Sequence, residues 1–281
     1  LSNLAPGALA RKGLSSNVIR DLNNKIIICS ISGYGSKGPN KNKKAYDFLI
    51  QGEVGLCSVT GTESEPSRVG ISITDIATGL TAFSAILRAL IHSIKNKKGV
   101  DIQISMFDVM ADWMNMPLMA YRYGEGAPKR TALSHSFVAP YGAFETLDKK
   151  KILLSIQNER EWSSFCSEVL DSTVLANDKR LRNNVERFKN KDYLEKRIAE
   201  CFRVKTKSDI VKKLENANIA FSDLNSVKDL SDHYLLRNKE IYFDEKTISI
   251  ADLPVNSVTS ASSSVPALDE HGKFLRNEFK F

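Results

Sequence analysis

Among 281 residues there are only four cysteines, four histidines and two tryptophans. Cys29, Cys57, Cys166 and Cys201 make no C-x-x-C pair and no zinc-type spacing, so reduced, partly buried thiols are expected and no metal is implied. No Ser-His-Asp grouping has motif context, which removes the simplest triad hydrolases. A full G-x-G-x-x-G is also missing: Gly33-Tyr34-Gly35-Ser36-Lys37-Gly38-Pro39 follows a strand pattern but runs into Pro39 and polar residues, not into a helix. No stretch reads as long and apolar enough to span a membrane, and no signal-peptide pattern is visible. The expectation is a soluble, cytoplasmic protein with no membrane partner. No internal repeat is apparent, and the chain opens at Leu1 without a Met, which leaves open whether Leu1 is the natural start.

Charge is present but not massed. The net charge is +7 and the sequence pI near 9.1, yet Lys and Arg alternate with acids along the chain. A nucleic-acid partner is therefore not expected; an anionic small molecule, or a basic composition with no binding role, accounts for the excess. Hydrophobic content of 42% and charged content of 26% are ordinary for a globular chain of one or two domains.

The pattern along the chain predicts alternating strands and helices. Lys25–Ser32 is a continuous apolar run of the kind buried in a parallel sheet. Tyr46–Leu56 reads as a helix, Val69–Ile73 as a short strand, and Leu80 to Ile94 as a long apolar helix stopped by Lys95-Asn96-Lys97-Lys98-Gly99. Val100–Ser105 reads as another strand, and Met106–Tyr123 as one helix. Such alternation implies βαβ units and a parallel sheet. After a polar linker, Phe137–Leu147 and Lys151–Gln157 read as a hairpin, followed by charged helices near 159–170, 184–202 and 207–216. Weak strands at 238–258, a serine-rich loop at Ser257–Pro266 and a short terminal helix close the chain. Thr74 or Asp75 is the expected N-cap of the long helix, since Thr and Asp are preferred there and the helix dipole favours a negative charge.

Six stretches taken together resemble the class III CoA-transferases, the family of formyl-CoA and carnitine CoA-transferases. They are ISGYGSKGP (Ile31–Pro39), AYDFLIQGEVGLCSVTG (Ala45–Gly61), RVGISITDIATGL (Arg68–Leu80), GVDIQISMFDVM (Gly99–Met110), VAPYGAF (Val138–Phe144) and PALDEHGKFL (Pro266–Leu275). The resemblance implies an α/β fold: an incomplete Rossmann-like parallel-sheet large domain plus a small α+β domain, assembled as the family's interlocked homodimer. On that template residues 1–123 are the large domain, lacking its N-terminal part. Residues 124–135 are a linker, 136–235 the small domain, and 236–281 a segment returning to the large domain.

The resemblance further implies an enzyme moving CoA between an acyl-CoA thioester and a free carboxylic acid, with coenzyme A or acyl-CoA as substrate and no permanently bound cofactor. Asp75 falls at the family's nucleophile, forming aspartyl anhydride and aspartyl-CoA intermediates; a carboxylate that carries the acyl group covalently splits one poor exchange into easier steps. Tyr46 and Asp47 match the family's aromatic-acid pair lining the site. Ile76 and Ala77 are expected to offer N–H donors to the oxyanions, and His135 lies near the family's inter-domain substrate region. Asn3 and Arg11 match positions that contact the CoA nucleotide, with Lys12 beside them. Two other readings stand open. One is an α-methylacyl-CoA racemase-like enzyme, against which Tyr46 counts because racemases place histidine there. The other is a non-catalytic, truncated remnant of the family.

Overall fold

The computed structural model describes residues 1–243, 245–255 and 264–280. The chain divides into two units, Leu1–Phe221 and Ser222–Phe281. The first begins with α1 (Ala8–Arg11), α2 (Ser16–Leu22) and β1 (Ile28–Ser32), followed by α3 (Asp47–Glu53), α4 (Leu56–Val59), α5 (Ile73–Asn96) and β2 (Asp101–Ser105). β1 and β2 pair in parallel, with Ile28 opposite Asp101 and Ser32 opposite Ser105, so α5 is the long crossover of a βαβ unit. Ser2 joins β1 on its other side: its N–H donates to Cys29 O at 2.9 Å and its carbonyl accepts from Ile31 at 2.8 Å. The first residues of the chain thus extend the same parallel sheet. Cys29, Ile50, Ala77, Ala82, Ile104, Val109 and Met110 form the core between sheet and helices.

α5 buries Ala77, Ala82 and Ala89, small residues that let it lie close to its neighbours. Its other face leaves Leu80, Phe83, Leu87, Leu90, Ile91 and Ile94 exposed. This corrects one expectation. At 24 residues, α5 is long and apolar enough by composition to cross a membrane, although Asp75 and Arg88 interrupt the pattern and its small residues sit in the core. The residues read as a strand, Val69–Ile73, are not one: their backbone groups bond locally or to a side chain, and helix begins at Ile73. The single helix expected over Met106–Tyr123 is also two, α6 (Met106–Trp113) and α7 (Asn115–Tyr123), meeting at Met114. Pro117 has no N–H to give the carbonyl one turn earlier, and the helix breaks there.

A second core in the same unit is built on the antiparallel hairpin β3 (Tyr141–Glu145) and β4 (Lys151–Ser155), with Tyr141 opposite Ser155. The helices covering it are α8 (Glu159–Ser164), which runs into a π-helical turn at Phe165–Val169, then α9 (Thr173–Ala176), α10 (Asn184–Lys189), α11 (Lys191–Phe202) and α12 (Lys207–Asn216). Ile152, Leu154, Phe165, Leu194, Ile198, Phe202, Ile210 and Leu214 fill this core. Arg187 is fully buried among them; its guanidinium donates to Ala139 O at 3.0 Å, Leu181 O at 3.2 Å and Glu159 Oε2 at 2.6 Å. A short strand β5 (Phe221–Asp223) begins at the last residue of the unit. The second unit holds α13 (Val227–Ser231), the antiparallel hairpin β6 (Asn238–Phe243) and β7 (Lys246–Ala251), and α14 (Gly272–Phe279). Most of the serine-rich loop read at Ser257–Pro266 lies outside the described residues. The architecture of the described residues is a mixed α/β fold with parallel and antiparallel strand pairing.

Candidate active site

Asp75 is the third residue of α5, inside its first turn, so neither it nor Thr74 is the N-cap. That position belongs to Ser72, whose φ of −75° and ψ of 65° place it in an inverse γ-turn closed by a 2.8 Å bond from Ile73 N–H to Ile71 O. An N-cap side chain works from extended backbone; bent this way, Ser72 makes no cap bond. The cap comes from another helix. Asp47, the first residue of α3, accepts through Oδ2 from the N–H groups of Thr74 at 2.8 Å and Asp75 at 3.3 Å. Its Oδ1 accepts from Gln51 Nε2 at 2.6 Å, and Gln51 Oε1 accepts from Val69 N–H at 2.9 Å. Gln51 is fully buried with both ends of its amide engaged. Two residues four apart on α3 thereby hold both ends of the 69–75 segment.

The carboxylate of Asp75 has no hydrogen-bond or ion-pair partner among the described residues. Its pKa is raised, first by loss of water around it and then by the negative charge of Asp47. It opens onto a cleft of about 690 Å³ whose walls include Asn3, Gly33, Lys43, Lys44, Tyr46, Asp47, Asp75, Gly79 and Met106. Gly79 lies one helical turn beyond Asp75 on the same face, and nothing stands near the place its side chain would occupy, so the face beside Asp75 stays open. Gly33 ends the β1 strand against Ala45: a methyl group there would overlap Ala45 Cβ, so the approach of the 33 and 45 segments requires glycine. Tyr46 is 68% exposed at the cleft. Lys43 is already committed to Glu53, at 2.7 Å, and lies over the Tyr34 ring. Lys44 shows no partner among the described residues.

Other expected residues lie elsewhere. Ile76 and Ala77 do not offer free donors at the cleft: Ile76 N–H donates to Ser72 O at 3.0 Å, and Ala77 is buried in the core. With Ile73, Thr74 and Asp75 also engaged, the first turn of α5 has no spare N–H. His135 sits against the hairpin, its ring 5.2 Å from Tyr141, and is not in the cleft wall. Arg11 folds back over Gly7 at the start of α1, and neither it nor Lys12 lines the cleft, whereas Asn3 does. A larger cleft of about 1150 Å³ between residues 124–137 and 188–193 holds none of the expected residues. Gln51 escaped the sequence reading; the available signal was a lone amide, one turn after Asp47, in the apolar run Phe48-Leu49-Ile50-Gln51.

A family model described as CoA-transferase family III matches residues 1–272 of this chain. The chain belongs to CoA-transferase family III. Among its relatives, succinyl-CoA:glutarate CoA-transferase of Homo sapiens is 30% identical over 231 residues, covering 82% of this chain and 52% of that protein. Acetyl-CoA:oxalate CoA-transferase of Acetobacter aceti is 26% identical over 283 residues, covering 99% of this chain and 72% of that protein. A crystal structure of a CAIB/BAIF family protein from Brucella suis superposes with a TM-score of 0.81 at 27% identity, covering 98% of this chain and 74% of that one. The chain spans 52% of the length of the human relative and 65% of the length of the mouse one, also a succinyl-CoA:glutarate CoA-transferase.

Proposed function

We propose that this family III chain carries the nucleophile of a CoA-transferase, and that the nucleophile is Asp75. The observation that carries the reading is a carboxylate without a partner among the described residues, in an open cleft and on a helix whose cap is supplied from elsewhere. Removal of water and the charge of Asp47 make that carboxylate more basic than an ordinary one, and a more basic oxygen is a better nucleophile toward a thioester.

The chemistry then runs without redox change or net proton transfer. An Asp75 oxygen adds to the thioester carbonyl, the C–S bond breaks, and CoA thiolate leaves a mixed anhydride. The thiolate attacks the Asp75 carbonyl of the anhydride, releasing the donor acid as its carboxylate and leaving an aspartyl-CoA thioester. The acceptor carboxylate attacks that thioester, giving a second anhydride and thiolate. The thiolate takes the new acyl group and regenerates Asp75. Each addition passes through a tetrahedral oxyanion that needs a donor. Because the first-turn amides are engaged, the donors assigned here are the Tyr46 hydroxyl and the Asn3 carboxamide at the cleft wall.

The acids are dicarboxylates in this proposal, on the strength of relatives named for succinyl-CoA with glutarate and acetyl-CoA with oxalate. Arg11 and Lys12 are assigned to the CoA nucleotide, outside the cleft. The apolar side chains open along α5 support a subunit interface, in keeping with an interlocked homodimer and a Rossmann-like large domain. Four free thiols suit a reducing, cytoplasmic setting. The test is exchange of isotope-labelled acid into succinyl-CoA and a small panel of acyl-CoAs, with Asp75→Ala alongside. Exchange in the parent and none in the variant is the expected result; equal exchange in both rejects Asp75, and a folded parent silent on the whole panel rejects the transferase.

A further inference from the structure

Four helices here begin with the same local pattern, a hydroxyl residue followed three positions later by aspartate: Ser72/Asp75 on α5, Ser105/Asp108 on α6, Thr206/Asp209 on α12 and Ser226/Asp229 on α13. At α6 the Ser105 hydroxyl accepts from the Asp108 N–H at 3.3 Å. At α12 and α13 the pattern closes a reciprocal cap. Asp209 Oδ2 accepts from the Thr206 N–H at 3.3 Å and its hydroxyl at 2.6 Å; Asp229 Oδ2 accepts from the Ser226 N–H at 2.8 Å and its hydroxyl at 2.6 Å. Thr206 and Ser226 are extended there, with ψ of 160° and 173°. At α5 the γ-turn holds Ser72 at ψ 65°, the box does not form, and the Asp75 carboxylate has no hydrogen-bond partner among the described residues.

We propose that Asp47 and Gln51 are a positioning pair for Asp75: by capping the first turn of α5 from α3 and tying Val69 to it, they replace the local capping box and hold the nucleophile unpaired toward the cleft. This deepens the reading of Asp75 as nucleophile and rests on it. In the closed boxes the hydroxyl of the cap residue accepts from the amide three positions on, Thr206 from Asp209 N–H and Ser226 from Asp229 N–H, while the aspartate folds back onto the cap residue. At α5 the turned Ser72 makes no such bond, and Asp47 takes over the Thr74 and Asp75 amides, so the first turn is capped with the Asp75 carboxylate left outside the cap. Gln51 fixes which way Asp47 points, because its buried Nε2 accommodates only an acceptor and its Oε1 is spent on Val69.

A positioning role of this kind has a charge signature. The titratable groups facing Asp75 across the cleft are Asp47, Tyr46, Lys43 and Lys44; of these Asp47 is the one that bonds to its backbone. Asp47→Asn keeps one oxygen for the amides, sets its NH2 against Gln51 Nε2 at some cost in stability, and removes a negative charge beside Asp75, so the acid limb of kcat/KM of the folded variant moves to lower pH. Gln51→Met keeps the volume and the charge of Asp47 but frees its orientation, so kcat falls by about tenfold or more with KM for acyl-CoA little changed, and the acid limb stays in place.

The experiment measures labelled-acid exchange against pH for the parent, Asp47→Asn, Gln51→Met and Asp75→Ala, with far-UV circular dichroism on each. The expected set is an inactive Asp75→Ala, an acid limb shifted down in Asp47→Asn, and a kcat loss at unshifted limb in Gln51→Met. An unmoved limb in folded Asp47→Asn, or losses confined to KM in both variants, overturns the positioning pair and makes Asp47 a substrate contact. Should Asp47→Asn not fold, Gln51→Met decides alone: a kcat loss at constant KM supports the pair and parent-like kcat overturns it. Full exchange in Asp75→Ala rejects the nucleophile, whatever the Asp47 variants do; an inactive Asp75→Ala beside parent-like Asp47→Asn and Gln51→Met rejects only the pair.

Discussion

The starts of α5 and α12 carry the same residue types at the same spacing and do opposite things with them. At α12, Asp209 turns back onto Thr206, and those hydrogen bonds hold its carboxyl below the usual range. At α5, Asp75 is left facing the cleft, and scarce water together with Asp47 pushes its carboxyl above that range. One aspartate is spent on the helix; the other is withheld from it. The difference lies in the residue before the helix, extended at Thr206 and turned at Ser72, and in the presence of Asp47 across the gap. A helix start becomes a reactive position when something outside the helix takes over its cap.

The largest expected effect comes from removing the withheld carboxylate. Asp75→Ala lowers exchange by on the order of 10⁴-fold or more, read by labelled-acid exchange, while its thermal transition stays close to the parent's because no bond of that side chain is lost. Asp47→Ala is expected to strike both functions: it leaves two first-turn amides without an acceptor, costing roughly 1–2 kcal/mol in urea unfolding, and it reduces kcat as well. Asp209→Ala separates the two helices. It weakens the fold measurably in urea titration and leaves exchange per folded molecule unchanged; a loss of turnover there would break the comparison.

The smallest effect is in the pH dependence of stability, where the two aspartates have opposite signs. Asp209 binds its proton less readily folded than unfolded, so its contribution is present above the unfolded pKa and is lost as pH falls through the lower folded one. Asp75 binds its proton more readily folded, so its contribution is complete below the unfolded pKa and is lost as pH rises through the higher folded one. Asp75→Asn should therefore melt slightly above the parent at neutral pH, with the gain disappearing in acid. Asp209→Asn should melt below the parent at neutral pH, with the deficit closing in acid. Melting curves at neutral and acidic pH check both signs.

The larger architecture was legible because it rests on long patterns. The apolar run at Lys25–Ser32, the extended apolar helix and the strand before Met106 were enough to predict the βαβ unit that β1, α5 and β2 form. The hairpin at 141–155 and α12 were equally clear. The short segment leading to the candidate nucleophile was misread for a physical reason. Val69, Ile71 and Ile73 alternate as strand residues do, but Val69 N–H goes to Gln51, Ile73 N–H to Ile71 O, and the Arg68 guanidinium to the carbonyls of Val69 and Gly70. Side-chain alternation says nothing of where backbone groups find partners, and here tertiary and local partners win. Asp75 was singled out by its motif, whereas Gln51 was hidden because a buried amide in an apolar run looks like a lapse in the pattern until its two partners are known. Ile76 and Ala77 were expected to supply amides on position alone, and the helix ladder and the packed core claim them instead.

Gly33 carries no functional group, yet the room for error around the reactive carboxylate is set there. A single methyl at that position would press on Ala45, and Ala45 is two residues from the carboxylate that caps α5. Positions 33 and 45 are therefore coupled in any redesign of the cleft: widening it for a bulkier acid by enlarging the β1 loop displaces the cap before it changes the pocket. Variation that spares the chemistry has to begin elsewhere, at an exposed wall residue such as Asn42.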